Sequence, residues 1–95
     1  MLVNRFWTAL TNCLDDYTVD SRGDVGSWIR IAACSSLVPI FQNSRNVDIR
    51  LTIAKLLRLS VEKMDRVRTA AGESLCALIP LWPDAEDVLQ EFITR

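Results

Sequence analysis

Four carboxylates crowd into one short stretch, Asp15, Asp16, Asp20 and Asp24, and they are the first place to look for chemistry. A carboxylate pair that does acid–base work needs one member in an apolar pocket, where burial raises its pKa. A polar loop carrying four acids reads instead as solvated groups and helix caps. The calcium-loop alternative fails as well, because the ligand spacing and closing glutamate of an EF-hand are missing. The chain has no histidine, which removes the usual general base, the usual activator of a cysteine and the commonest metal ligand. Its three cysteines, Cys13, Cys34 and Cys76, are odd in number and widely spaced, so reduced, buried thiols are expected rather than a zinc knuckle or disulfide framework. Neither GxGxxG nor a P-loop occurs. Composition points to no metal, no cofactor and no catalytic residue.

The residues that repeat are more telling. A net charge of −1, with both signs interspersed, gives no basic field for phosphates, so nucleic acid is not an expected partner. The longest uncharged run, Ile31 to Ser44, contains Pro39 and falls short of the roughly 20 apolar residues of a membrane helix. The N-terminal MLVNRFW lacks the order of a signal peptide.

Apolar residues recur at helical spacing along the chain. One stripe runs Val3, Phe6, Trp7, Leu10, Cys13, Leu14, Tyr17; a second runs Trp28, Ile29, Ala32, Ala33, Leu37, Ile40, Phe41. A third comprises Ile49, Ile53, Leu56, Leu57 and Met64, a fourth Val67, Ala70, Ala71, Leu75, Leu78 and Ile79. Ala85, Val88, Leu89, Phe92 and Ile93 start a fifth. No stretch alternates long enough to predict a strand. Asn46 or Asp48 is placed to cap the third helix and Asp65 the fourth. Pro39 predicts a kink or early stop in the second helix, and Pro80 and Pro83 bracket a break.

Shifting the second stripe by 38 positions lays it on the fourth: Asp24 on Glu62, Ile29 on Val67, Arg30 on Arg68, Ala32 and Ala33 on Ala70 and Ala71, Leu37 on Leu75. Paired alanines allow two helices to approach closely at a crossing, and the branched residue and leucine span the buried face. Each arginine can reach an acid at an inter-helix turn, in its own unit or the next, which predicts a structural ladder of Asp24, Arg30, Glu62 and Arg68. This spacing resembles the HEAT repeat. The resemblance implies an all-α chain, an α-solenoid of HEAT-like helix pairs. Its units are repeat 1 at about 3–41, repeat 2 at about 47–80 and a partial third at 84–95, within a single segment 1–95. The departures are the absence of the family's usual proline in the first helices and a long first loop. A slice of such an array should expose apolar faces and self-associate.

That loop, Asp15 to Ser27, spends about a dozen residues where a few suffice, and loops of that length tend to be functional or disordered. Asp15, Asp16, Tyr17, Asp20, Arg22, Asp24 and Trp28 form its candidate protein-binding surface. Trp7 reads as core packing, Trp28 as either packing or an exposed contact, and Trp82 as the cover of a seam between units. The triplet Arg22-Gly23-Asp24 matches an integrin-type motif, but Asp24 is already explained as the acidic position of the repeat.

The run LDDYTVDSRGDVGSWIRIAAC, Leu14 to Cys34, resembles a stretch in the C-terminal part of the tubulin-folding cofactor D family, with small departures at Ile29 and over Ile31–Cys34. The resemblance implies a cytoplasmic, cytoskeleton-associated chaperone role. The partners it implies are β-tubulin, other tubulin-folding cofactors and an Arf-like small GTPase. It further implies assembly and disassembly of the α/β-tubulin heterodimer, with GTP hydrolysis stimulated only in the assembled complex. Two other readings stand beside it: a generic HEAT scaffold of another system, such as transport or phosphatase assembly, and a small hydrolase using Asp15 and Asp16.

Overall fold

The computed structural model describes residues 2–87 and residue 90, with the backbone alone described at Leu2 and Asp20. Val88, Leu89, Phe92 and Ile93 of the expected fifth helix, and with them most of the partial third unit, lie outside the described residues. Among the described residues the bounded α-helices are α1 (Leu2–Cys13), α2 (Gly26–Asn43), α3 (Ile49–Leu59) and α4 (Asp65–Leu78), with a 3₁₀ turn over Ile79–Leu81, and Ala85, Glu86, Asp87 and Gln90 are helical as well. Two strands of two residues each, β1 (Val19–Asp20) and β2 (Gly23–Asp24), pair antiparallel inside the long loop.

The helix boundaries follow local chemistry. The Asp24 side chain accepts a hydrogen bond from the Ser27 N–H at 3.1 Å, and the Ser27 hydroxyl donates back to the Asp24 carbonyl at 2.7 Å, which closes the start of α2. Asp48 caps α3 by accepting from the Arg50 N–H at 3.3 Å. Asp65 is not a cap: Met64 occupies that position without a side-chain bond, and Asp65 lies in the first turn of α4, where the helix dipole favours its charge. Nor does Pro39 stop α2 early. The helix continues to Asn43, whose amide donates to the Pro39 carbonyl at 2.8 Å, while the Ser44 N–H donates to the Ile40 carbonyl at 2.9 Å.

Packing arranges the helices as two pairs side by side. α1 lies on α2 and α3 on α4, α2 and α4 form the principal contact between the pairs, and α1 touches α3 lightly. One continuous apolar core results, including Trp7, Leu14, Leu37, Phe41, Ile53, Leu56, Leu59, Val67, Leu75 and Leu78. Trp7 and Phe41 pack tilted with ring centroids 5.7 Å apart, and the Trp7 indole donates to the Asp48 carbonyl at 3.0 Å. Trp82 is also buried.

Three expectations need adjustment. Of the paired alanines, Ala33 and Ala71 are buried but Ala32 is exposed and Ala70 only half-buried, so one alanine per helix serves the crossing. Ile29 is exposed although its counterpart Val67 is buried, because the buried face at the start of α2 is occupied by Gly26, Ser27 and Arg30. Of the thiols, all free, only Cys34 is buried; Cys13 is half-buried and Cys76 exposed. Burial pushes the Cys34 thiol up to about 11. At mildly alkaline pH, iodoacetamide should therefore label Cys76 in the folded chain while Cys34 reacts only after denaturant is added, which peptide mass spectrometry reads directly.

Candidate functional site

Among the described residues, Arg30 is the largest fully buried side chain. An isolated guanidinium could not be held there, because removing a charge from water costs several kcal/mol unless it is paired and hydrogen-bonded. Three segments supply the partners. From the loop before α2, the Asp16 carbonyl accepts from Nη1 at 2.6 Å. From β2, Asp24 receives the fork, Nη2 to Oδ2 at 2.9 Å and Nη1 to Oδ1 at 3.4 Å. From the turn between α3 and α4, Glu62 Oε1 accepts from Nη2 at 2.6 Å. The Tyr17 ring covers the guanidinium at 4.0 Å from its centroid, and the Tyr17 hydroxyl donates to Glu62 Oε2 at 3.2 Å. Arg30 Nε has no partner among the described residues.

The loop can bring these groups to Arg30 because it is a folded hairpin. Ser21 and Arg22 make its turn, and Gly23 follows at φ 109°, a conformation that side chains other than glycine rarely adopt. The strands evade a search for alternation because each is only two residues long. The hairpin sits hard against the start of α2: the Gly26 N–H donates to the Thr18 carbonyl at 2.9 Å, and a Cβ on Gly26 would stand 2.4 Å from the Asp16 carbonyl oxygen. Only glycine fits that approach. Asp15 ties the loop to α3 by ion pairs to Lys55 and Arg58.

Three of the four ladder residues, Asp24, Arg30 and Glu62, therefore meet. Arg68 stands apart. Its side chain is 42% exposed, donates to the main-chain carbonyls of Glu62 and Lys63 at 3.0 and 3.1 Å, and pairs with Asp65 in its own helix. No described carboxylate from a following turn reaches it as Glu62 reaches Arg30.

The loop candidates separate in the same way. Asp16 accepts from the Thr18 N–H at 3.0 Å and shapes the turn. Asp15 and Asp24 are ion-paired rather than merely solvated, and Asp24, committed to Arg30, is not offered to a receptor as an integrin motif would require. Arg22 and Trp28 remain at the surface, the guanidinium 5.6 Å from the indole ring, with Trp28 55% exposed. Of Asp20 only the backbone, in β1, is described. Sequence reasoning missed Tyr17 as the cover of Arg30, and Lys55 and Arg58 as the anchors of Asp15. The only available signal was the opposite charge of α3's exposed face.

The electrostatics mirror the contacts. The hydrogen bond from Arg30 holds the Asp24 carboxyl below its usual range, that from Lys55 does the same for Asp15, and that from Thr18 for Asp16. Burial, joined by the charge of Glu62, raises the Tyr17 hydroxyl. Carboxylates with depressed folded-state pKa values stabilise the fold above the unfolded value of about 4 and lose that contribution as pH falls through the folded value. The same depression tells against Asp15 and Asp16 as an acid–base pair, since neither is held protonated. Among the described residues no group of histidine, cysteine, aspartate or glutamate is arranged to hold a metal, and no helix is long and apolar enough to cross a membrane.

The contrast between the arginines is measurable. Arg30→Ala strands Asp24 and Glu62 in a partly buried site and should destabilise by about 3–5 kcal/mol, whereas Arg68→Ala should cost less than about 1 kcal/mol. Urea denaturation followed by circular dichroism checks both values.

Comparison with known proteins names one family twice. The sequence model described as "Tubulin folding cofactor D C terminal" matches residues 50–94. Tubulin-specific chaperone D of Dictyostelium discoideum is 29% identical over 99 aligned residues, which cover 79% of this chain and 7% of that protein's length. No solved structure matches. The family match spans α3, α4 and the residues C-terminal to them, the alignment with the chaperone covers most of the chain, and over these stretches the chain is similar to the tubulin folding cofactor D proteins.

Proposed function

We propose that the chain is a segment of a tubulin-folding chaperone of the cofactor D kind, built as HEAT-like helix pairs of an α-solenoid. Its units would be about 3–41 and 47–80, with the start of a third at 84–95. The observation that carries the reading is the likeness to tubulin-specific chaperone D over most of the chain. The fold supports it: two helix pairs stack through α2 and α4, and Arg30 of the first pair is bonded to Glu62 of the second, a join that can be repeated along an array. The partners on this reading are β-tubulin, other tubulin-folding cofactors and an Arf-like small GTPase. The setting is the cytoplasm and cytoskeleton, the outcome assembly and disassembly of the α/β-tubulin heterodimer. Stimulation of GTP hydrolysis would belong to the assembled complex, with no catalytic residue in this segment.

Within the segment, the exposed part of the loop is the contact candidate. Asp15, Asp24 and Tyr17 hold the hairpin in place, and Val19, Arg22 and Trp28 stand on its outer side. A rigid aromatic beside a cation is the composition that concentrates binding energy at protein interfaces. The competing reading, a HEAT scaffold of a transport or phosphatase system, shares the fold and differs in the client.

Affinity capture on the full-length parent discriminates the two. Recovery of β-tubulin together with a small GTPase is expected, and Trp28→Ala should weaken capture of one of them by about 1 kcal/mol or more without lowering the melting temperature. Recovery of neither partner would sink the chaperone reading.

A further inference from the structure

Asn4, Thr8 and Asn12 recur at every fourth position of α1 and are all exposed. They line one side of a cleft of about 400 Å³ between α1 and the start of α3, with Asn46 and Leu51 on the other side. Among the described residues, the side chains of Asn4, Thr8, Asn12 and Asn46 engage no hydrogen-bond partner in the protein. Leu51, 53% exposed, gives the cleft an apolar wall beside Trp7. The floor is fixed in advance, because the Thr11 and Thr52 hydroxyls share a buried hydrogen bond of 2.7 Å and Trp7 is held by the Asp48 carbonyl. An occupant would not have to organise it.

We propose that this cleft binds an extended polypeptide segment of a protein partner through that segment's main chain. A carboxamide both donates and accepts, as each peptide unit does, whereas a charged stripe would select charged side chains. Four residues of α-helix advance about 6.0 Å and two residues of extended chain about 6.7 Å, so three side-chain groups one turn apart stay within reach of successive same-facing peptide units. Alternate side chains of such a segment would point toward Leu51 and Trp7, which favours an apolar residue at every second position. The tubulin reading is not required, since the groups that recognise the segment are indifferent to its source.

The test uses the full chain as bait for a phage-displayed library of random twelve-residue peptides, with enriched sequences then synthesised and titrated. The expected result is enrichment of peptides with alternating apolar residues. Their affinity should fall roughly tenfold or more in Asn4→Ala/Asn12→Ala, and similarly when alternate backbone nitrogens of the peptide are methylated. Both replaced side chains are exposed, so an unchanged melting temperature shows that folding is intact. No enrichment, or enriched peptides whose affinity ignores both the double substitution and methylation, would overturn the proposal. So would an α1 face that joins two copies of the chain, seen as a monomer–dimer equilibrium that the double substitution shifts while peptide affinity stays constant.

Discussion

The burial of one guanidinium organises this chain. With its side chain fully shielded, Arg30 is tolerated only because Asp16, Asp24 and Glu62 each bring an acceptor to it. Those three residues come from the loop after α1, from β2 and from the turn between α3 and α4, so satisfying a single side chain fixes three segments relative to one another. Apolar packing supplies most of the driving force, as Leu37, Leu56 and Leu78 in one core show. Packing alone, however, does not fix the position of a polar loop. The directional bonds of Arg30 do, and the Asp15 pairs to α3 hold the same loop from its other end.

A partly buried network of this kind is a weak source of net stability but a strong constraint on geometry, because any arrangement that separates the partners leaves a charge uncompensated. That property suits a stackable unit. Glu62 lies in the second helix pair and accepts from the first, so the pairs are joined in one register and not merely pressed together. Arg68 shows what the position looks like when no following turn covers it: the same residue type lies partly in solvent, on carbonyls of its own turn and on Asp65. The helical framework thus presents two kinds of surface, a hairpin with the exposed Trp28 of α2 beside it and an amide-lined cleft between α1 and α3.

Much of the framework was legible in the sequence because it depends on short-range rules. Helical periodicity placed α1 to α4, Asp48 signalled the start of α3, and the 38-residue recurrence aligned Arg30 with Arg68. The features that escaped depend on distant partners. The hairpin strands are too short for alternation to register, and their pairing is set by Gly23 and by the clash that only glycine avoids at position 26. Equal sequence positions gave Arg30 and Arg68 equal expectations, yet their burial differs because Tyr17 and Glu62 cover one and nothing described covers the other. Of the two outcomes that Pro39 signals, a kink or an early stop, the stop does not occur, because the helix carries on through it to Asn43. Asn4, Thr8 and Asn12 drew no notice because polar residues on a helix face look ordinary until the neighbouring helix turns that face into a cleft wall.

The direct test of the organising role of Arg30 is a double-mutant cycle between Arg30→Met and Glu62→Gln, read by urea denaturation. Residues that share one charge-assisted bond across the two helix pairs should show a coupling energy of about 1–3 kcal/mol, with the double variant less destabilised than the sum of the single ones. Additivity within about 0.5 kcal/mol would mean that the two side chains do not depend on each other, and the register between the helix pairs would then have to be attributed to apolar packing alone.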